Sequence, residues 1–177
     1  MFVGRCCGEQ RNCGNTLNIG NQNEHILCLK VITGKSAFIV INIYCQYSAP
    51  LEGFLDKVET LINSFPSEKL LITMDANAKL ELWHSEMDEK GIFMEEFVLE
   101  NSLVVLNRPN NPPTYMSERG QSNIDITLAT PNLAGKVRSW MVDASCSTSD
   151  HNLIITEIGG HNRINRNWTP DLGYNVK

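Results

Sequence analysis

The order of apolar runs between residues 26 and 74 constrains this chain more than any other feature. "ILCLKVI" (26–32) and "AFIVINIY" (37–44) have the length and β-branched content of strands, and "TGKS" between them is a natural hairpin connection. In "LEGFLDKVETLINSF" the residues Phe54, Leu55, Val58, Leu61, Ile62 and Phe65 follow helical spacing, which predicts an amphipathic helix covering a sheet. "LLITM" (70–74) then reads as strand, "GIFMEEFVLENS" (91–102) as helix through Ile92, Met94, Phe97 and Val98, and "LVVL" (103–106) as strand again. A Pro-rich loop, "NRPNNPPTYMSERGQ", leads to three further strand candidates, "SNIDITLA", "VRSWMVD" and "NLIITEI". Seven strands, two helices and an early hairpin predict an α/β sandwich of antiparallel or mixed sheets, not a doubly wound Rossmann layer.

At 177 residues the chain is long enough for one domain with a real core. Residues 1–25, rich in Gly, Asn and Cys, read as an irregular lead-in; residues 26–160 hold the domain; residues 161–177, with Arg163 and Arg166 beside Trp168, read as a linker towards a following domain. The net charge of −5 excludes binding of a polyanion by long-range attraction of the whole chain, so any nucleic-acid handling falls to a local site. Cys6, Cys7, Cys13, Cys28, Cys45 and Cys146 form no C-x-x-C pair and are expected to be unpaired thiols of an intracellular, nuclear or cytoplasmic protein. The N-terminus lacks an apolar signal region, and no run is long enough for a membrane span. The sequon at Asn167 is read as chance, and "GKS" (34–36) is no phosphate loop, because Leu29 stands where a Walker motif needs glycine.

Three polar clusters sit at ends of apolar runs: Asp75 and Asn77 after "LLITM", Asn123 and Asp125 before "ITLA", and Ser149, Asp150 and His151 before "NLIIT". An unpartnered buried carboxylate is costly, so such groups either face solvent as turn residues or converge on one another and on an ion. Carboxylates at 75, 125 and 150 offer the hard oxygen ligands that Mg²⁺ prefers, and Asn77 can donate to a phosphate oxygen. A carboxylate beside His151 favours its protonated form. Water attack on a phosphodiester needs these functions together.

"LLITMDANA", "SNIDITL" and "STSDHNLIIT", in that order, resemble the D-x-N, S-x-I-D-x-T and S-D-H motifs of the endonuclease/exonuclease/phosphatase superfamily, most of all the endonuclease domains of non-LTR retrotransposon polyproteins. "LW" (82–83), "DEKG" (88–91), "PTY" (113–115) and "TPNLA" (130–134) add to a likeness running from Ile26 to Ile158. The resemblance implies a four-layer α/β/β/α sandwich of the DNase I-like type, here truncated at its N-terminus, and an Mg²⁺-dependent (alternatively Mn²⁺-dependent) enzyme that nicks DNA. It implies that Asp75 orients or deprotonates water or protonates the leaving oxygen, and that Asn77 holds a phosphate oxygen. Asp125 would orient His151, His151 would stabilise the transition state, Tyr44 would touch the phosphate, and Asp150 would help hold the metal. The implied partners are DNA and a reverse transcriptase domain C-terminal in the parent polyprotein, with the chain itself a monomer and no membrane association.

The family's opening strands, one carrying an Asn and one ending in a Gln-Glu pair whose Glu ligates metal, have no counterpart before Ile26, and the usual G-D-F-N reads "MDAN". Two alternatives therefore stay open: a truncated or decayed fragment that acts at most as a binding module, and a phosphatase of the same superfamily.

Overall fold

The two apolar runs around "TGKS" do form a hairpin: β2 (Ile26–Thr33) pairs antiparallel with β3 (Ser36–Tyr44), and Gly34 turns the chain with φ +57°, a left-handed conformation glycine adopts without strain. The structure, a computed structural model, describes residues 15–18, 25–34, 36–145 and 147–159. The lead-in on either side of Asn15–Asn18, Cys6, Cys7, Cys13, Cys146 and the linker 161–177 lie outside the described residues. Cys28 and Cys45 are buried free thiols, and burial pushes the Cys45 thiol up to about 12.

After β3 the chain forms α1 (Glu52–Ser64) and β4 (Leu70–Asp75), a strand–helix–strand unit whose two strands are parallel. A 3₁₀ turn (Glu81–Trp83), α2 (Glu89–Glu100) and β5 (Val104–Val105) follow. Next come β6 (Tyr115–Ser117), β7 (Gly120–Ser122), β8 (Asp125–Ala129), the short α3 (Pro131–Ala134), β9 (Val137–Asp143) and β10 (Leu153–Ile158). With β1 (Asn15–Asn18), the main sheet is mixed and six-stranded, in the order β1-β2-β3-β4-β8-β5; β9 with β10 and β6 with β7 form separate antiparallel pairs.

Side chains that alternate along the central strands build two cores. Ile39, Ile41 and Ile43 of β3, Leu70, Ile72 and Met74 of β4, and Ile126 and Leu128 of β8 pack with Phe54, Leu55 and Val58 of α1 and Met94, Phe97 and Val98 of α2. Phe38, Leu71 and Ala129 face the other way and pack with Trp140 and Val142 of β9 and Leu133 of α3. The sandwich is thus helices, main sheet and second sheet, as the mixed α/β expectation requires. Three of the four expected layers are seen among the described residues. No helix among them is long and apolar enough to cross a membrane.

Three local expectations are corrected. Residues 15–18, read as irregular, form β1, which adds to the edge of β2; "NTLN" has no apolar period of its own, and the partner's backbone groups supply the pairing. The Pro-rich loop contains β6, paired with β7. "SNIDITLA" is not one strand, because β7 ends at Ser122 and β8 begins at Asp125. The "DEKG" and "LW" details acquire physical reasons. Asp88 caps α2 by accepting from Gly91 N at 2.7 Å and also accepts from Lys79 N at 2.9 Å, and a Cβ on Gly91 would lie 1.8 Å from the Lys79 carbonyl oxygen. Trp83 is fully buried and donates from Nε1 to Ala78 O at 3.1 Å, anchoring the loop that follows Asp75 and Asn77.

Candidate active site

The ends of β3 and β4 and the start of β8 lie side by side. Tyr44 stands opposite Asp75 in the parallel pair, and Asp75 opposite Asp125 in the antiparallel pair. Their neighbours Ile43, Met74 and Ile126 face the helices, so alternation puts Tyr44, Asp75 and Asp125 on the opposite face. There they line a cleft of about 360 Å³ with Ser149, His151 and Asn152. One row deeper, Thr73 donates to Asn42 Oδ1 at 2.7 Å and Trp140 Nε1 donates to Thr127 Oγ1 at 3.0 Å, so the floor is polar but satisfied.

His151 arrives from the loop before β10. Its Nδ1 lies 3.0 and 3.1 Å from the two Asp125 carboxylate oxygens, and its Nε2 lies 3.7 Å from Asp75 Oδ2. The loop is stitched by its own serines: Ser147 Oγ donates to His151 O, and His151 N donates to Ser149 Oγ at 3.0 Å. The hydrogen bond from His151 to the Asp125 carboxylate, opposed by burial and aided by the charges of Asp125 and Asp75, raises the His151 pKa above its ordinary value.

Asp75 shows the reverse balance. Burial first, then repulsion from Asp125, pushes its carboxyl up to about 6 against the attraction of His151 and a backbone hydrogen bond from Asn77. Its Oδ1 is buried and takes no hydrogen bond. Like charges directly opposite in a ladder are destabilising, so the Asp75–Asp125 pair works against the fold unless a proton or a cation joins it. Asp75, Asp125 and His151 each offer a ligand atom within 4.8 Å of the others. The orphaned Asp75 oxygen and the adjacent Asp125 carboxylate fit a hard divalent ion, which leans on one or two carboxylates and completes its shell with water.

Four of the six expected site residues, Tyr44, Asp75, Asp125 and His151, thus meet in one cleft. Asn77 does not line the cleft; it takes a left-handed conformation (φ +49°), with Nδ2 donating to Cys45 O at 3.0 Å. Asp150 is exposed, does not line the cleft, and engages through its carbonyl, which accepts from Met116 N at 2.8 Å. Asn107 escaped notice in the sequence. It is buried, takes Thr127 N on Oδ1 at 2.8 Å and donates from Nδ2 to Asp125 O at 2.9 Å, serving as a side-chain rung beside β8. Its position as the polar residue closing "LVVL" was the available clue, the same placement that marks Asp75.

Residues 38–155 match the family model described as endonuclease-reverse transcriptase. The chain is 28% identical over 141 residues to the retrovirus-related Pol polyprotein of the type-1 retrotransposable element R1 of Bradysia coprophila, covering 75% of this chain and 14% of that protein. It is 27% identical over 141 residues to the putative 115 kDa protein in the element R1DM of Drosophila melanogaster, again covering 14% of the relative. The chain therefore spans about one-seventh of the length of these curated relatives. Among solved structures, the endonuclease domain of TRAS1, a telomere-specific non-LTR retrotransposon, superposes with TM-score 0.77 at 25% identity, covering 84% of this chain and 70% of that one. An AP endonuclease from Archaeoglobus fulgidus, at TM-score 0.57 and 18% identity over 74% of this chain and 64% of that one, shares the fold.

Proposed function

The chain belongs to the endonuclease-reverse transcriptase family, and from that premise we propose that it hydrolyses phosphodiester bonds, nicking DNA in an Mg²⁺-dependent reaction that leaves a 3′-hydroxyl. The observation that carries the reading is the convergence of Asp75, Asp125 and His151 in one cleft from three separate segments. Such a group has a carboxyl whose pKa is raised by burial, an imidazole held by a second carboxylate, and an open side for substrate.

In this reading Asp125 accepts a hydrogen bond from His151 Nδ1–H, which fixes the ring and leaves Nε2 pointing towards Asp75 and the cleft. Protonated Nε2 then donates to a non-bridging phosphate oxygen as charge grows there. Asp75 accepts a proton from the attacking water, or returns one to the leaving oxygen. Asn77 offers its remaining amide hydrogen to the phosphate, and Tyr44, 48% exposed at the end of β3, can reach the same group. A bound Mg²⁺ would neutralise phosphoryl charge and stabilise the leaving alkoxide. Asp75 and Asp125 would hold it, and we assign Asp150, whose exposed side chain does not line the cleft, an auxiliary part.

The parent protein would carry reverse transcriptase downstream, act on DNA and be nuclear or cytoplasmic, with this domain monomeric. Nicking of supercoiled plasmid in Mg²⁺, followed by polymerase extension from the nick without prior end repair, tests the reading. His151→Ala should abolish it and Asp150→Ala should weaken it, and nicking that survives in His151→Ala would overturn the assignment.

A further inference from the structure

We propose that Thr114 is a positioning residue that sets the relation between Asp125 and His151, an inference that rests on the hydrolytic reading of the site. Asp125 opens β8 and His151 precedes β10, and the segment Pro113–Met116 is bonded to both. Thr114 is completely buried. Its Oγ1 accepts from the backbone N–H of Ile124 and of Asp125, each at 3.1 Å, and its own N–H donates to Asn123 Oδ1 at 3.0 Å. One hydroxyl therefore satisfies two donors at the base of the Asp125 side chain.

The other side of the same segment holds the histidine loop. Asn152 N donates to Thr114 O at 2.8 Å, and Asn152 Nδ2 donates to Pro113 O at 2.7 Å. Tyr115 forms a bridge with His151, its ring meeting the imidazole edge-on with centroids 5.1 Å apart, and Met116 N donates to Asp150 O at 2.8 Å. Contacts to Asp125 run through the Thr114 hydroxyl and contacts to His151 through the adjoining backbone, so a shift at Thr114 moves one partner relative to the other. A hairpin alone needs no buried hydroxyl aimed at two amides. Valine has the same shape and no acceptor; it would leave two buried N–H groups unpaired and force the segment to move.

The test compares wild type, Thr114→Val and Thr114→Ser in the full chain. In the metal-free protein the proton on His151 Nδ1, held by Asp125, is followed by NMR; it should be retained in wild type and Thr114→Ser and lost or displaced in Thr114→Val. In Mg²⁺-dependent nicking, kcat of Thr114→Val should fall about 10- to 100-fold with KM within about twofold, and Thr114→Ser should recover it. Asn123→Ala, which frees the Thr114 N–H and the His84 carbonyl that Asn123 Nδ2 now serves, should displace the same resonance in the same direction and serves should Thr114→Val fail to fold. An unchanged His151 resonance in the folded variants, with kcat within about twofold of wild type, would overturn the inference. A displaced resonance in a protein whose wild type never nicks would support the positioning role and refute the hydrolytic reading.

Discussion

Replacing Asp75 by asparagine should stabilise the metal-free protein while destroying the proposed activity. The Asp75 carboxyl is raised from an ordinary 3.8 to about 6, and at 1.36 kcal/mol per pKa unit the ionised group costs the fold about 3 kcal/mol at pH 7.5. Its side chain is only 17% exposed, so solvent screening removes little of this. Asparagine keeps the shape and loses the charge, but leaves a buried amide imperfectly paired at a cost of about 1 kcal/mol. The net expectation is a gain of about 2 kcal/mol in urea denaturation with EDTA at pH 7.5, or about 4–8 °C in Tm for a chain of this size. The pH dependence follows the same logic. The folded-state pKa lies above the unfolded one, so the folded state binds the proton more tightly; wild-type stability is fully present below pH 3.8 and is lost as pH rises through about 6. The two curves should therefore cross at about pH 4.5, with Asp75→Asn about 1 kcal/mol the less stable below it and about 2 kcal/mol the more stable at pH 7.5. The raised His151 pKa has the same sign, its contribution being lost at higher pH as the ring deprotonates. An Asp75→Asn protein less stable than wild type at pH 7.5 in EDTA would refute the claim that Asp75 is held at the expense of stability.

Further outcomes follow from the same geometry. Mg²⁺ affinity, measured by calorimetry, should fall about tenfold per pH unit below about 6, because Asp75 must release its proton to bind the ion; a flat profile would place the ion elsewhere. Gly91→Ala should cost about 2–4 kcal/mol in denaturant unfolding, since the new Cβ meets the Lys79 carbonyl oxygen at 1.8 Å and backbone must give way. DNA binding by the chain, whose net charge is −5, should weaken steeply between low and physiological salt in a filter or anisotropy assay.

The sheet and its covering helices were legible because their side chains obey a period. Ile39, Ile41 and Ile43 against Phe38 and Val40 mark β3 as a two-faced strand, and Phe54, Leu55 and Val58 mark the inner face of α1. Asp75, Asp125 and His151 were legible as polar residues closing or opening apolar runs. Register was not: nothing in "LLITMD" states that Asp75 will stand opposite Asp125, since that depends on how two strands fifty residues apart pair. Short elements held by side-chain hydrogen bonds were hidden for a related reason. The β6–β7 hairpin lies in a polar, proline-bearing stretch without alternation, and Thr114 matters through one hydroxyl whose partners are distant backbone amides. Asp150 shows the limit of reading neighbours together, because its side chain is exposed while that of His151, next to it, enters the cleft.

We propose that Asp75, Asp125 and His151 together form a metal-assisted phosphodiester hydrolysis site. Its most direct test is the single-turnover cleavage rate of an end-labelled DNA duplex, with and without Mg²⁺, for wild type and His151→Ala. Cleavage by wild type that requires Mg²⁺ and falls by about 10²-fold or more in His151→Ala is the predicted result. Equal rates in the two proteins, or cleavage that persists in EDTA, would contradict it.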